Sequence, residues 1–587
     1  ASLVTVFILI GMVSLILSSA SKSASHSVVE NSILHMRLRG EIVEKHRPLD
    51  FNFLGNKSIF SEEKSIGLYE LTRAIEAAKT DSRIKGIYIE MRGFGAGWAT
   101  LTALHNKLEE FKATKKWIYA YGDRYDEKSY YLATAANQIF IQPHGEVEFN
   151  GLGMNQPFLK GLIAKLELEP RVFRVGKFKA AIEPLILDHM SAENRKQNEE
   201  LLGDIWAEVR KSVATSSKIE EKRVDEIAGG LLAVSAEEGQ KLGLFTETIF
   251  EDALEDRMRG FTVGKDEDLE LVTPGQLLRD STATAKLQGA GPKKIALVFA
   301  EGEIQSGIGS SDSIGSETFR EDLIEAKEDE DVAAIVVRIN SPGGDALASD
   351  VIWREMMKVD EKIPVVISMG DVAASGGYYM ASAGRYIYAE PTTITGSIGV
   401  FGIMFNAEKF FKNKAAVNFD RVVTHPYADI GNATRPMTDL EASKIQGEVE
   451  RVYKRFLDVV QEGRGYEKRE DLESIAEGRV WSGTRAKEIG LVDEIGGLES
   501  AVKKAAEFAN VKDYKIVMYP QQTDPIMQFI ERFSGDAVRS WMGEVLLGKS
   551  GYANVRALGQ VAEQIPLSQV EMKSGIYMRM LKDIKIQ

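Results

Sequence analysis

The sequence predicts an α/β fold with largely parallel sheets, built twice in tandem behind an apolar N-terminal segment. Three observations predict it. Residues 81–144 and 329–392 align without a gap: Ile87 faces Ile335, Gly95 faces Gly343, Tyr130 and Tyr131 face Tyr378 and Tyr379, and Pro143 faces Pro391. Runs 84–91 and 332–339 are nearly continuous apolar stretches, the pattern of parallel strands covered on both faces. Strand-like and helix-like runs then alternate as β-α-β-α-β, which calls for an α/β architecture.

Taken in order, residues 1–21 carry no charge and residues 3–17 (LVTVFILIGMVSLIL) are almost wholly apolar. That length is near the minimum for a transmembrane helix, so an anchor is expected. The small residues Ser18-Ser19-Ala20 make a cleaved signal segment the competing reading. Both place the bulk of the chain outside the cytoplasm. Residues 22–31 are Ser-rich and read as a linker. The first repeat is expected over 32–263. It opens on strand-like LHMRLRGEIV (34–43), followed by helical 68–78 with apolar spacings of three and four. Residues 264–292 are polar and weakly patterned, and are expected as the connection between domains. The second repeat, 293–549, opens on IALVFAEGEI (295–304) and a helical run at 319–327. After the strand at 332–339 come a Gly-rich turn, a helix (346–357), a strand (364–369), a helix (376–383) and a strand (386–389). Residues 550–587 form a tail of short amphipathic pieces without a usable motif.

A chain of 587 residues is too long for one ordinary core. The formal charge of −14 is spread along the sequence without a basic block, which argues against nucleic acid as a partner. The absence of cysteine excludes disulfides, thiolate catalysis and Cys-based metal sites.

Two segments of the second repeat carry candidate chemistry. Asn340-Ser341-Pro342-Gly343-Gly344-Asp345 follows a buried strand and precedes a helix, where α/β sheets place their sites. Its glycines allow close backbone approach, and the N–H groups of Gly343 or Gly344 can face an anion. A plain tight turn fits as well. Ser375, in Ala373-Ala374-Ser375-Gly376-Gly377, opens a helix whose positive end favours a developing oxyanion, with the Gly376 N–H as donor. An ordinary N-cap serine is the bland alternative. The first repeat has Glu127-Lys128-Ser129 there. Its glycine stretch, Gly93-Phe94-Gly95-Ala96-Gly97-Trp98, is a weak match to a dinucleotide loop.

A nucleophilic serine needs a base. None of the seven histidines falls in either segment, and His189 and His425 are the two worth testing for a triad. A lysine serves equally if burial lowers its pKa. Lys179 stands among Phe178, Ala180, Ala181 and Ile182, and its counterpart in the second repeat lies near Pro426 or Tyr427. One repeat thus offers a base without a serine, the other a serine without that base, and one shared site explains both.

The blocks RINSPGGDALAS (338–349), MGDVAASGGYYMAS (369–382), TTITGSIGVFG (392–402), GRVWSGTRAKEIGLVDEIGG (478–497) and GKFKAAIEPLILDHMS (176–191) closely resemble the signal peptide peptidase A (protease IV) family, in its long duplicated form. The resemblance covers nearly the whole chain after the apolar segment. It implies a Clp protease/crotonase-like fold of repeated ββα units and a membrane-bound serine peptidase without cofactor or metal. By the same resemblance, Ser375 is the nucleophile, Lys179 the general base, and Gly376, Gly343 and Gly344 the oxyanion hole. It further implies signal-peptide remnants as substrates and a homotetramer on the periplasmic side of the inner membrane. Asp345 departs from the family, which often has a small residue there. A crotonase-like acyl-CoA enzyme and an inert membrane scaffold are the competing functions.

Overall fold

The computed structural model describes residues 28–45, 65–264, 267–287, 289–310, 312–520 and the backbone of 575–579. The expected anchor (1–21), most of the linker and most of the tail lie outside these residues. No helix among the described residues is long and apolar enough to cross a membrane. The chain divides into two compact units: Ala1–Gly151 with Ala207–Gln288, and Leu152–Trp206 with Gly289–Gln587.

The first unit contains β1 (Ser32–Val43), α1 (Leu68–Thr80), β2 (Ile84–Gly95), α2 (Trp98–Lys112), β3 (Trp117–Asp126), α3 (Glu127–Ala133) and β4 (Gln138–Glu148). These strands lie side by side in the order β1-β2-β3-β4, all parallel. Ile87, Tyr88, Ile89 and Glu90 of β2 are all buried, so polar and apolar residues cannot alternate along it. Helix α1 buries Leu68, Leu71, Ala74, Ile75 and Ala78, one stripe at spacings of three and four.

The expected connection at 264–292 is largely folded into this unit. Leu271 and Val272 pair with Ile33 and Leu34 of β1. A short helix, Pro274–Arg279, follows with a Thr273/Gln276 capping box, and Leu277 is buried beneath it. One short strand and one cap leave too little periodicity to stand out in a polar stretch.

The second unit contains β5 (Glu169–Val175), the first turns of α4 (Ala192–Ser217), β6 (Lys293–Glu301), β7 (Glu303–Gln305), β8 (Val332–Ser341), β9 (Gly343–Asp345), α5 (Ala346–Asp360), β10 (Val365–Ala374), α6 (Gly376–Ala381), β11 (Ile394–Gly396), β12 (Val400–Asn406), α7 (Asp439–Arg464), β13 (Tyr514–Tyr519) and β14 (Gly575–Arg579). The main sheet runs β11-β10-β8-β6-β13, with these neighbours parallel. A second sheet runs β7-β9-β14-β12-β5. The segment expected as one strand at 295–304 is two, broken at Gly302 with φ of 104°. A Cβ there would lie 2.2 Å from the Asp312 carbonyl oxygen, so only glycine makes this step.

The elements of the two repeats begin at equivalent positions: β2 and β8 at Ile84 and Val332, α2 and α5 at Trp98 and Ala346, β3 and β10 at Trp117 and Val365. The folding units do not follow the repeat boundaries expected at 32–263 and 293–549. Residues 152–206 lie within the first repeat in sequence but in the second unit in space. Backbone pairing explains the transfer: β5 runs antiparallel to β12 from Val175↔Val400 to Glu169↔Asn406. This segment brings Lys179 into the unit that holds Ser375.

Candidate active site

Ser375 sits between β10 and α6 with φ of 57° and ψ of −117°. A non-glycine residue in that region is strained by roughly 1–3 kcal/mol, and its neighbours must hold it there. The Ser375 N–H donates to the Gly396 carbonyl at 2.9 Å. Its carbonyl accepts from the Tyr379 N–H at 2.8 Å. Its position is that of an N-cap, yet its side chain makes no capping bond. The hydroxyl is therefore free for another partner, and the N-cap alternative fails. The first repeat is an internal control. There Asp126 caps α3 with φ of −99°, in a reciprocal capping box with Ser129. Glu127, at the place of Ser375, accepts hydrogen bonds from the N–H groups of Asn150 and Gly151.

Lys179 reaches this hydroxyl from the loop after β5. Its Nζ lies 2.7 Å from Ser375 Oγ, 3.0 Å from the Ser397 carbonyl oxygen and 3.0 Å from Ser397 Oγ. Lys179 is 1% exposed and Ser375 0%. Burial alone pushes the lysine pKa well below its ordinary value, and no carboxylate among the described residues holds its charge. A neutral amine has two N–H donors for the Ser397 oxygens and a lone pair to accept from Ser375. Lys177, two residues earlier, points outward to Glu477 at 2.7 Å.

The backbone around the lysine leaves it no other course. Gly176 has φ of 102°, and a Cβ there would lie 2.4 Å from the Glu477 carbonyl. Gly478 has φ of 79°, and a Cβ there would meet the Lys179 Cβ at 2.6 Å. Gln197 of α4 donates to the Phe178 carbonyl at 3.2 Å and accepts from the Val480 N–H at 3.3 Å. The buried Glu183 accepts from Ser191 Oγ at 2.6 Å and Asn194 Nδ2 at 2.9 Å, holding the next turn. A Gly478→Ala substitution should displace the lysine and lower kcat at least about tenfold, since an ångström of misplacement is enough. Lys177→Ala should stay within about twofold of the parent, because its side chain faces solvent. Steady-state kinetics of the two variants checks this.

Gly343 has φ of 98°, and its N–H donates to Ser341 Oγ at 3.2 Å. Gly344 pairs with Ile304 of β7 so closely that a Cβ would lie 2.0 Å from its carbonyl oxygen. Gly376 opens α6, where a first-turn N–H has no acceptor within the helix. Gly377 packs on the Ser341 carbonyl, which brings the two glycine segments together. Asp345, the unusual residue, serves the fold by capping α5, where it accepts from the Ala348 N–H at 2.7 Å.

The triad candidates stay outside. His189 and His425 are exposed, and neither hydrogen-bonds to Ser375 or Lys179. Sequence reasoning missed Ser397, which supplies two of the lysine's three partners from a backbone at φ of 50°. Carrying the repeat alignment five residues further would have shown it, since Ser397 faces Phe149 of the first repeat.

Comparison with known proteins places the chain. The model of peptidase family S49 matches it twice, over residues 110–262 and 357–512. The chain is 32% identical to Protease 4 of Salmonella typhi over 92% of its own length and 88% of that protein.

The chain belongs to peptidase family S49.

Protease 4 of Haemophilus influenzae is 33% identical over 82% of this chain and 81% of its own. The chloroplastic serine protease SPPA of Arabidopsis thaliana is 32% identical over 86% and 74%. This S49 chain is a serine protease, which makes the buried serine and lysine the place to look for its chemistry.

Proposed function

We propose that this S49 peptidase is a membrane-anchored endopeptidase working through a Ser375–Lys179 dyad on signal-peptide remnants and other short apolar peptides. One observation carries the reading: a buried lysine amine with no counter-ion among the described residues, 2.7 Å from the hydroxyl of a strained serine that makes no capping bond. Neutral Lys179 takes the proton from Ser375 Oγ as the oxygen attacks the scissile carbonyl carbon. The Gly376 N–H and the Gly343/Gly344 turn face the resulting oxyanion, with Ser341 Oγ giving up the Gly343 N–H. Protonated Lys179 passes its proton to the leaving amine as the C–N bond breaks. Water, deprotonated by the same lysine, then releases the acyl group. The Ser397 oxygens keep the amine aimed through the cycle.

The apolar run 3–17 supports the anchor, and an anchor places the site on the periplasmic side of the inner membrane. Self-association, as in the homotetramer that the resemblance implies, finds support in residues 417–430, where Val417, Phe419, Val422, Tyr427 and Ile430 are each exposed. The duplicated Clp protease/crotonase-like fold is supported by the repeated parallel sheets. The test is turnover of two substrate classes by the detergent-solubilised protein. Cleavage of a synthetic signal peptide with no acyl-CoA hydrolysis is expected. The reverse pattern would replace this reading with the crotonase-like one, and turnover of neither would leave the scaffold.

A further inference from the structure

The segment after Gly478 reaches the nucleophile and the lysine from one place. Val480–Ser482 runs antiparallel to β11, with Ile394↔Ser482, Thr395↔Trp481 and Gly396↔Val480. One step beyond this ladder, the Ser397 N–H donates to the Arg479 carbonyl at 2.7 Å. The main chain of Arg479 thus holds the turn whose Gly396 carbonyl accepts from Ser375 and whose Ser397 oxygens accept from Lys179. Ser397 needs that hold, because a φ of 50° is costly for a residue with a side chain.

The side chain of Arg479 acts on the lysine's own loop. Its guanidinium carbon lies over two rings, 4.0 Å from the centre of Trp481 and 5.1 Å from that of Phe178, the residue just before Lys179. Helix α4 presents Gln197, Glu200 and Asp204 at spacings of three and four, on one face. Gln197 accepts from the Val480 N–H, Glu200 pairs with Arg479, and Asp204 accepts from Ser482 Oγ and Arg485 Nε at 2.6 Å each. The Arg479 side chain is 15% exposed, and its buried Nε–H has no acceptor among the described residues. A fold that keeps a buried donor unpaired calls for a reason.

We propose that Arg479 is the positioning residue of the dyad: its carbonyl fixes the lysine's acceptors, its guanidinium fixes the lysine's loop, and together they set the approach of amine to hydroxyl. The proposal rests on the dyad reading above. Covering two rings while pairing with a carboxylate takes a flat, forked cation, which a lysine is not. The charged groups around Lys179 are Glu183, bound to Ser191 and Asn194, Lys177, paired with Glu477, and Arg479, paired with Glu200. Arg479→Lys keeps every one of these charges, so a change in how Lys179 titrates reports its position and its contact with water.

The experiment compares the full chain with its Arg479→Lys variant. kcat, KM and the pH profile of kcat/KM for a short apolar peptide are measured beside the melting temperature. The expected result is a kcat about tenfold lower, a KM within about twofold, and an acid limb moved to higher pH, since a loosened amine meets water and regains part of its ordinary basicity. Phe178→Leu should act in the same direction, and adding Arg479→Lys to it should cost little more, because the two act through one contact. An unmoved profile with kcat within about twofold of the parent would overturn the proposal. A loss of kcat that follows a fallen melting temperature with the profile unmoved would also overturn it, as would losses that multiply in the double variant. Lys179→Ala is measured alongside. Activity in that variant would take down the dyad reading and the proposal with it, whereas an inactive Lys179→Ala beside an unaffected Arg479→Lys would take down the proposal alone.

Discussion

Ser375→Ala is expected to lower peptidase activity by roughly 10³-fold or more while the protein stays folded, because a nucleophile that acts as a unit with its base has no substitute. The hydroxyl makes no capping bond, so its loss leaves α6 intact. A second substitution separates chemistry from stability at the same position. Ser375 is held at φ of 57° and ψ of −117°, where glycine is relaxed and any other residue is not. Ser375→Gly should therefore be as inactive as Ser375→Ala yet melt higher, by an amount reflecting the roughly 1–3 kcal/mol of released strain. Thermal denaturation beside activity measurement checks both. A Ser375→Ala protein that is folded and near the parent activity would refute the nucleophile.

Lys179→Ala and Lys179→Arg are expected to fail almost as completely, for different reasons. Alanine offers no lone pair, and arginine does not deprotonate in a protein. In the parent protein, activity should rise with pH through the depressed lysine pKa and stay high into the alkaline range, because the amine works as a base only once neutral. His189→Ala and His425→Ala should keep most activity and the same profile. The lysine also makes a stability prediction. Unfolded, it binds a proton up to about pH 10.4; folded, it releases that proton at lower pH. Between the two values the unfolded state binds more protons, so stability rises with pH there and its deficit is complete below the folded value. Lys179→Met removes the charge and keeps the length. Its melting temperature should exceed the parent's most at low pH, by about 2–4 °C for each kcal/mol released, and the gap should close toward about pH 10. A parent protein that gains on the variant as pH falls would contradict a buried neutral lysine.

The parts of this molecule legible in its sequence are those whose signal is local. Buried strands such as β2 and β8 announce themselves as apolar runs, and the repeat shows each of them twice. Ser375 stood out as a candidate because the repeats differ at Glu127 and Ser375, and Lys179 because it stands among apolar neighbours with no lysine opposite it, while the roles proposed for them came from the family resemblance. What stayed hidden depends on pairing between distant segments. Nothing local in Glu169–Val175 says that it joins the second unit, since its partner is Val400–Asn406. Ser397 looked like one more small residue because its role depends on a backbone turn that brings both its oxygens to one amine. The strand at Gly575–Arg579 is five residues long in a tail without a usable motif, and its place comes from its register between β9 and β12.

In the proposed dyad, one serine of the second repeat, activated by one lysine of the first, performs the chemistry. Labelling the full chain with a fluorophosphonate, digesting it with trypsin and mapping the adduct by mass spectrometry tests that most directly. A single adduct on Ser375, within the peptide of residues 363–385, is expected, with its loss in Lys179→Arg. An adduct on another serine, or full labelling of Ser375 in Lys179→Arg, would contradict it.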